Sequence, residues 1–145
     1  MHRKLSHIHI VDEMSNHRIH SSPENLRRSV NNILAALRGT KKLDLFECAR
    51  VDPNYPVEAT ISVLKGFVEE GLFGHIGMSE CSAASLRKGN SVHPIAAVEI
   101  EVSPWSIEPE TKNVLAVAEE LDVAVIAYSF VHPSTSVCGF TDSGS

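Results

Sequence analysis

Glu99 and Glu101 alternate with Val98, Ile100 and Val102, so in an extended segment both carboxylates point to one face. Two acids at that separation suit paired acid/base work; they equally suit a buried, hydrogen-bonded carboxylate network. Further chemistry-bearing residues stand where apolar runs end: Ala49-Arg50, Ser79-Glu80, Val102-Ser103 and Tyr128-Ser129. Gly71, Gly74 and Gly77 in G-L-F-G-H-I-G have the look of a phosphate loop. The run leads into a strand instead of leaving one for a helix, so no helix N-terminus receives a phosphate there. Gly71 then reads as a helix stop and Gly77 as a close-packing strand position.

Five of the eight histidines lie within Met1–His20, and His7 and His9 would share a face in an extended chain. No cysteine or carboxylate completes a metal-ligand set at the usual spacing, so this stretch reads as a poorly ordered leader. His75 and His93 stand alone near turns, and no Ser-His-Asp or Cys-His set assembles. Trp105, just past Pro104, reads as a loop anchor. The three cysteines, Cys48, Cys81 and Cys138, include no C-x-x-C pair, and Cys48 falls inside an apolar run as a small hydrophobe. Odd, unpaired cysteines fit a reducing, cytoplasmic compartment.

The elements that must position these groups follow a β-α-β-α rhythm. Strand-like runs fall at Leu43–Arg50, His75–Ser79, Ile95–Val102 and Val123–Ser129. Ahead of them, Ser22 suits a helix N-cap and Pro23 the first helical position, with Leu26, Val30, Ile33 and Leu37 as the apolar stripe and Gly39 as the stop. Arg27 and Arg28 on the opposite face read as solvated. Pro56 opens a second helix with its stripe at Val57, Ile61, Leu64 and Val68. A short third helix runs from Ser82 through Leu86 and ends at Gly89-Asn90. A fourth spans Pro109 to Leu121, with Val114, Val117, Ala118 and Leu121 facing inward. The last strand is almost wholly apolar, as for a parallel strand covered on both faces. Strand starts are roughly 20–30 residues apart, room for a helical crossover in each gap. The chain therefore reads as α/β with a parallel sheet, divided into a leader at 1–20, an ordered region at 21–129 and an irregular tail at 130–145.

With 145 residues, 43% hydrophobic and 21% charged, the chain suffices for one domain with a real core. A net charge of -5 argues against a nucleic-acid or anionic-membrane partner. No run reaches the length of a membrane span, and Met1-His2-Arg3-Lys4 is not followed by the apolar stretch of a signal peptide.

Four segments in order, K-K-L-D-L-F-E-C-A-R-V-D-P, G-H-I-G-M-S-E, A-A-V-E-I-E-V-S-P-W-S and V-I-A-Y-S, resemble the aldo-keto reductases, most of all the fungal pyridoxal reductase branch. The resemblance runs from about Ser22 to Ser129. It implies part of an eight-stranded (β/α) TIM-type barrel, about four parallel strands with crossover helices and not closed, with the active site at the carboxyl ends of the strands. It also implies hydride transfer between NADP(H) and a small-molecule carbonyl. By the resemblance, Ser79 hydrogen-bonds the nicotinamide carboxamide, Glu99 stands where the family has a Gln serving the same group, Tyr128 stacks on the nicotinamide ring, and Ser129 begins the pyrophosphate-side loop. Glu80 stands where many members have Asn.

The departures define a second set of expectations. The family's catalytic tyrosine, lysine and aspartate precede the matched region, and Met1–His20 shows nothing resembling their motifs. Ala49 takes the place of the family histidine, Phe130 that of a proline, and the basic motif for the adenosine 2′-phosphate is absent. Hydride transfer needs a proton donor beside the carbonyl oxygen, and Tyr55 and Tyr128 are the only tyrosines. The expectation is a truncated reductase without turnover on its own, prone to self-association through open sheet edges. The competing expectation is a non-catalytic binding or regulatory module derived from a reductase. A free-standing open-sheet nucleotide-binding domain is disfavoured for want of a strand–Gly-loop–helix element.

Overall fold

The computed structural model describes residues 21–48, 50–102 and 108–128. Four helices and four strands alternate: α1 Pro23–Leu37, β1 Leu45–Cys48, α2 Val57–Glu69, β2 His75–Ser79, α3 Ala83–Val92, β3 Ile95–Glu101, α4 Pro109–Glu120 and β4 Ala124–Tyr128. The strands form one parallel sheet in the order β1-β2-β3-β4. It is therefore open among the described residues, as expected of a partial barrel.

Local chemistry sets the helix boundaries. Ser22 caps α1 by accepting from the Asn25 N–H at 3.3 Å, with Pro23 at the first position. Ser82 caps α3 by accepting from the Ser85 N–H at 3.1 Å, satisfying a donor the helix leaves unpaired. The α3 N-terminus also receives help from the next helix, because the Ala83 N–H donates to the Glu110 carboxylate at 3.0 Å. Gly71, at φ +77, turns the chain after α2.

The helices cover one face of the sheet. Phe46, Ile76, Met78, Val98 and Ile100 point into that layer and join Leu26, Val30, Ile61, Leu64, Leu86 and Val114 in one core. Leu64, Ile76, Leu86, Val30 and Val98 are among its most deeply buried side chains, each contributing about 1.5–3 kcal/mol on leaving water. Arg27 fastens α1 to α2: its guanidinium lies 4.1 Å over the Phe67 ring and pairs with the Glu70 carboxylate. The expectation of a merely solvated Arg27 is thus corrected, since an aromatic face and an acid converge on its side of α1. Arg87 of α3 pairs with Glu120 of α4 in the same way, at 2.6 Å.

Three element expectations need correction. The first strand is shorter than Leu43–Arg50, being confined to Leu45–Cys48. The third helix does not stop at Gly89-Asn90 but continues to Val92. Gly89 is an interior packing position, where a Cβ would meet the Met78 sulfur at 2.8 Å, and the Asn90 side chain accepts from the Ile95 N–H at 2.9 Å. The fourth strand is not covered on both faces: Ala124 and Ala127 are exposed and Val125 is 39% exposed. It is the last strand of the sheet and has only β3 as a described neighbour.

Candidate active site at the carboxyl ends of the strands

The sheet face turned away from the helices carries Glu47 from β1, Gly77 and Ser79 from β2, and Ala97, Glu99 and Glu101 from β3. Side chains alternate along a strand, so this set depends on phase. Between β2 and β3 the register jumps from Ile76↔Ile95 to Gly77↔Ala97, leaving Ala96 as an extra residue. That bulge lets Ile95 stay in the helix-side core with Ile76 while Glu99 emerges on the opposite face. Strict alternation from Ile95 would have put Glu99 in the apolar layer.

Ser79 and Glu99 are register partners at the end of β2 and β3, and both are buried. Ser79 is only 3% exposed. One hydroxyl able to donate beside one carboxyl able to accept complements a primary amide. The donor set therefore fits the carboxamide of a nicotinamide.

Glu80 follows Ser79 with φ +48, in the left-handed region. There its N–H donates to the Glu99 carbonyl at 2.9 Å, and its carboxylate accepts from the Glu101 N–H at 3.0 Å. The side chain thus continues the β2–β3 ladder one step past the strand. The same carboxylate accepts from the Tyr128 hydroxyl; burial and this bond push that phenol up to about 12, with Arg50 acting in the opposite sense. Tyr128 faces Glu101 across the β3–β4 ladder, one step beyond the Glu99↔Ile126 pair, so Ser79, Glu99 and Tyr128 line one wall. Ser129, the fourth residue expected here, lies outside the described residues, as do Ala49, Ser103 and Trp105.

Glu47 was not singled out by its sequence, yet it is 2% exposed and its carboxyl lies against that of Glu99. Burial first, and the neighbouring Glu99 second, push Glu47 up to about 8. The partner of Glu99 is therefore Glu47 from another strand, and Glu101, the partner expected from i, i+2 spacing, is exposed at the strand end. Cys48 and Cys81 are free thiols that burial pushes up to about 12 and about 11, so neither is a ready nucleophile.

A cleft of about 480 Å³ opens between the strand ends and the starts of α3 and α4, lined by Glu80, Glu101, Glu108 and Glu110 among others. Four carboxylates make it a poor place for a phosphate. Among the described residues, no group of three or more His, Cys, Asp or Glu could hold a metal, and no helix is long and apolar enough to cross a membrane.

A parallel βα sheet with its helices on one face and polar groups gathered at its carboxyl edge has the layout of the (β/α) barrel class. The Aldo/keto reductase family model matches residues 3–137, beyond both ends of the four motifs. The chain belongs to that family. It is 46% identical over 114 residues to "Probable pyridoxal reductase 2" of Schizosaccharomyces pombe, covering 78% of this chain and 34% of that protein. It is 44% identical over 93 residues to "Aldo-keto reductase str7" of Strobilurus tenacellus, covering 63% and 28% respectively. The chain thus spans about a third of the length of the curated relatives it matches. Among solved structures, the glycerol dehydrogenase AKR11B4 of Gluconobacter oxydans superposes with a TM-score of 0.70 at 24% identity, over 76% of this chain and 33% of that one. The thermostable aldo-keto reductase Tm1743 superposes with a TM-score of 0.69 at 28% identity, over 76% and 40%. The fungal pyridoxal reductase branch and the partial barrel read from the sequence both hold.

Proposed function

We propose that this chain forms the nicotinamide-side wall of an NADP(H)-dependent aldo-keto reductase site acting on a small aldehyde or ketone of the pyridoxal type. The observation that carries this reading is the side-by-side burial of Ser79 and Glu99 at the strand ends. In this role Ser79 donates to the carboxamide oxygen, Glu99 accepts from the carboxamide N–H, and the Tyr128 ring supplies a flat apolar boundary. The cofactor, when bound, supplies the hydride.

In this reading Tyr128 does not serve as the proton donor. Tyr128 is held by Glu80 and its phenol is raised to about 12, the wrong direction for a general acid near neutral pH. The chain alone is therefore expected to bind NADPH without reducing a carbonyl. Titrating NADPH fluorescence against the full chain, with NADH in parallel, tests the reading; because this wall meets only the nicotinamide end, saturable micromolar binding of either supports it, and no binding of either defeats it. A steady-state NADPH oxidation assay with pyridoxal at rates near those of a full-length relative would overturn the expectation of no turnover.

The held Tyr128 also favours a second reading, a non-catalytic binding or regulatory module, which shares the cofactor wall and differs in never being completed by other catalytic groups. Finding tyrosine and lysine motifs of the family in the DNA flanking the reading frame would exclude it. The free thiols of Cys48 and Cys81 support a cytoplasmic setting. The strand edges of β1 and β4 support self-association, to be read by sedimentation velocity.

A further inference from the structure

Glu47 and Glu99 belong to strands that do not pair, because β2 lies between them. A β2 side chain on this face would separate the two carboxyls. The residue opposite Glu47 is Gly77. A Cβ there would lie 2.7 Å from Glu47 Oε2 and 3.0 Å from Glu47 Cβ. The Glu47 side chain therefore occupies the space a larger residue would fill, and it reaches over β2 to Glu99. A carboxylate only accepts, so two carboxyls that meet out of water can bond only while the pair holds a proton.

We propose that Glu47 is a positioning residue: lying across the side-chain-free Gly77, it holds the Glu99 carboxyl in place beside Ser79, where a nicotinamide carboxamide would bind. This rests on the reading of Ser79 and Glu99 as the carboxamide contacts. When the pair loses its proton, two like charges confront one another and Glu99 is driven from that position. The wall is thus competent while the proton is shared and loosens under alkaline conditions.

The other groups around the pair are accounted for strand by strand among the described residues. On β1, Cys48 points to the helix side and Arg50 follows the strand end. On β2, His75 stands exposed at the opposite end and Ser79 flanks Glu99. On β3, Glu101 stands exposed one step further out. On β4, Ile126 faces Glu99, while Tyr128 faces Glu101 and bonds to Glu80.

The test uses the full chain and NADPH as the probe, with the dissociation constant followed from pH 6 to pH 9.5 and the glutamate side-chain carboxyl ¹³C shifts followed without cofactor. Glu47→Gln keeps a hydrogen-bond donor for Glu99 and cannot titrate; Glu47→Ala removes the support. The unsubstituted chain should lose about tenfold in affinity across that range, as for one lost hydrogen bond. Glu47→Gln should stay flat within about twofold and Glu47→Ala should bind about tenfold more weakly throughout. One alkaline carboxyl titration should be present and should vanish in Glu47→Gln. NADPH binding with the same pH profile in all three proteins overturns the role of Glu47 and leaves the nicotinamide reading standing. No binding by any of them overturns both. Carboxyl titrations that all finish in the acid range overturn the shared proton, whatever the binding result. Circular dichroism melts confirm that each variant is folded before it is scored.

Discussion

Glu47 Oε2 lies 2.7 Å from the position a Cβ would occupy on Gly77, its register partner in the next strand. The glycine is required by a buried carboxyl, and its φ does not lie in the left-handed region. Gly77→Ala should destabilise the chain by about 1–3 kcal/mol in chemical unfolding, the range for overpacking a tight site. Most of that cost should vanish in combination with Glu47→Ala, which removes the closest atom. Additive effects of the two substitutions would show that they do not meet.

The buried carboxyl pair sets a pH dependence whose sign is fixed. Glu47 is raised in the folded state to about 8, by burial and then by Glu99. Below the unfolded carboxyl range both states hold the proton and the group contributes no slope. Above it the unfolded chain releases a proton that the folded chain keeps, so stability falls with rising pH until about 8. One such group gives a slope of about 1.4 kcal/mol per pH unit at most. Urea unfolding between pH 5 and pH 8 should show this decline, and Glu47→Gln should flatten it and be the more stable protein at pH 8.

Much of the frame was legible because its signals are local. Ser22 and Ser82 sit one residue before their helices, Gly71 sits at a turn with positive φ, Ser79 falls at the end of an apolar run, and Glu99 alternates with Val98 and Ile100. The Glu47–Glu99 pair was not legible, since it joins two non-neighbouring strands and depends on a glycine in a third. The bulge at Ala96 was hidden for a similar reason: alternation within one strand gives no sign that its partner's register shifts. Gly89 was misread as a helix stop because a glycine close to a helix end and a glycine under a methionine look alike in sequence. The exposure of β4 was misread because an apolar strand shows what it can bury and cannot show whether a neighbour is there.

Glu80 combines a left-handed backbone with two acceptor roles, toward the Glu101 N–H and the Tyr128 hydroxyl. Asparagine tolerates that backbone better than glutamate. Glu80→Asn should leave the chain at least as stable in thermal melts and should lower the Tyr128 titration from about 12 by removing the carboxylate beside it. Ultraviolet titration in a Tyr55→Phe background isolates the Tyr128 signal. An unchanged phenol titration would show that burial alone sets it.

Gly89 tests helix propensity against packing at one position. Replacing an interior helical glycine with alanine gains about 1 kcal/mol in propensity. Here the new Cβ would press on the Met78 sulfur at 2.8 Å, with Ile61 and Val57 at 3.4 and 3.5 Å. The thioether is the adaptable part of a flexible side chain, so it can yield a few tenths of an ångström to a methyl group. Gly89→Ala should therefore stay within about 1 kcal/mol of the parent, the two effects opposing each other. Gly89→Val adds two methyls toward Ile61 and Val57, which are held by the core, and loses propensity as well. It should cost about 1–3 kcal/mol in urea unfolding, with α3 lifted from β2. Because β2 carries Ser79 and Gly77 on its other face, the valine variant should also weaken NADPH binding, whereas the alanine variant should not.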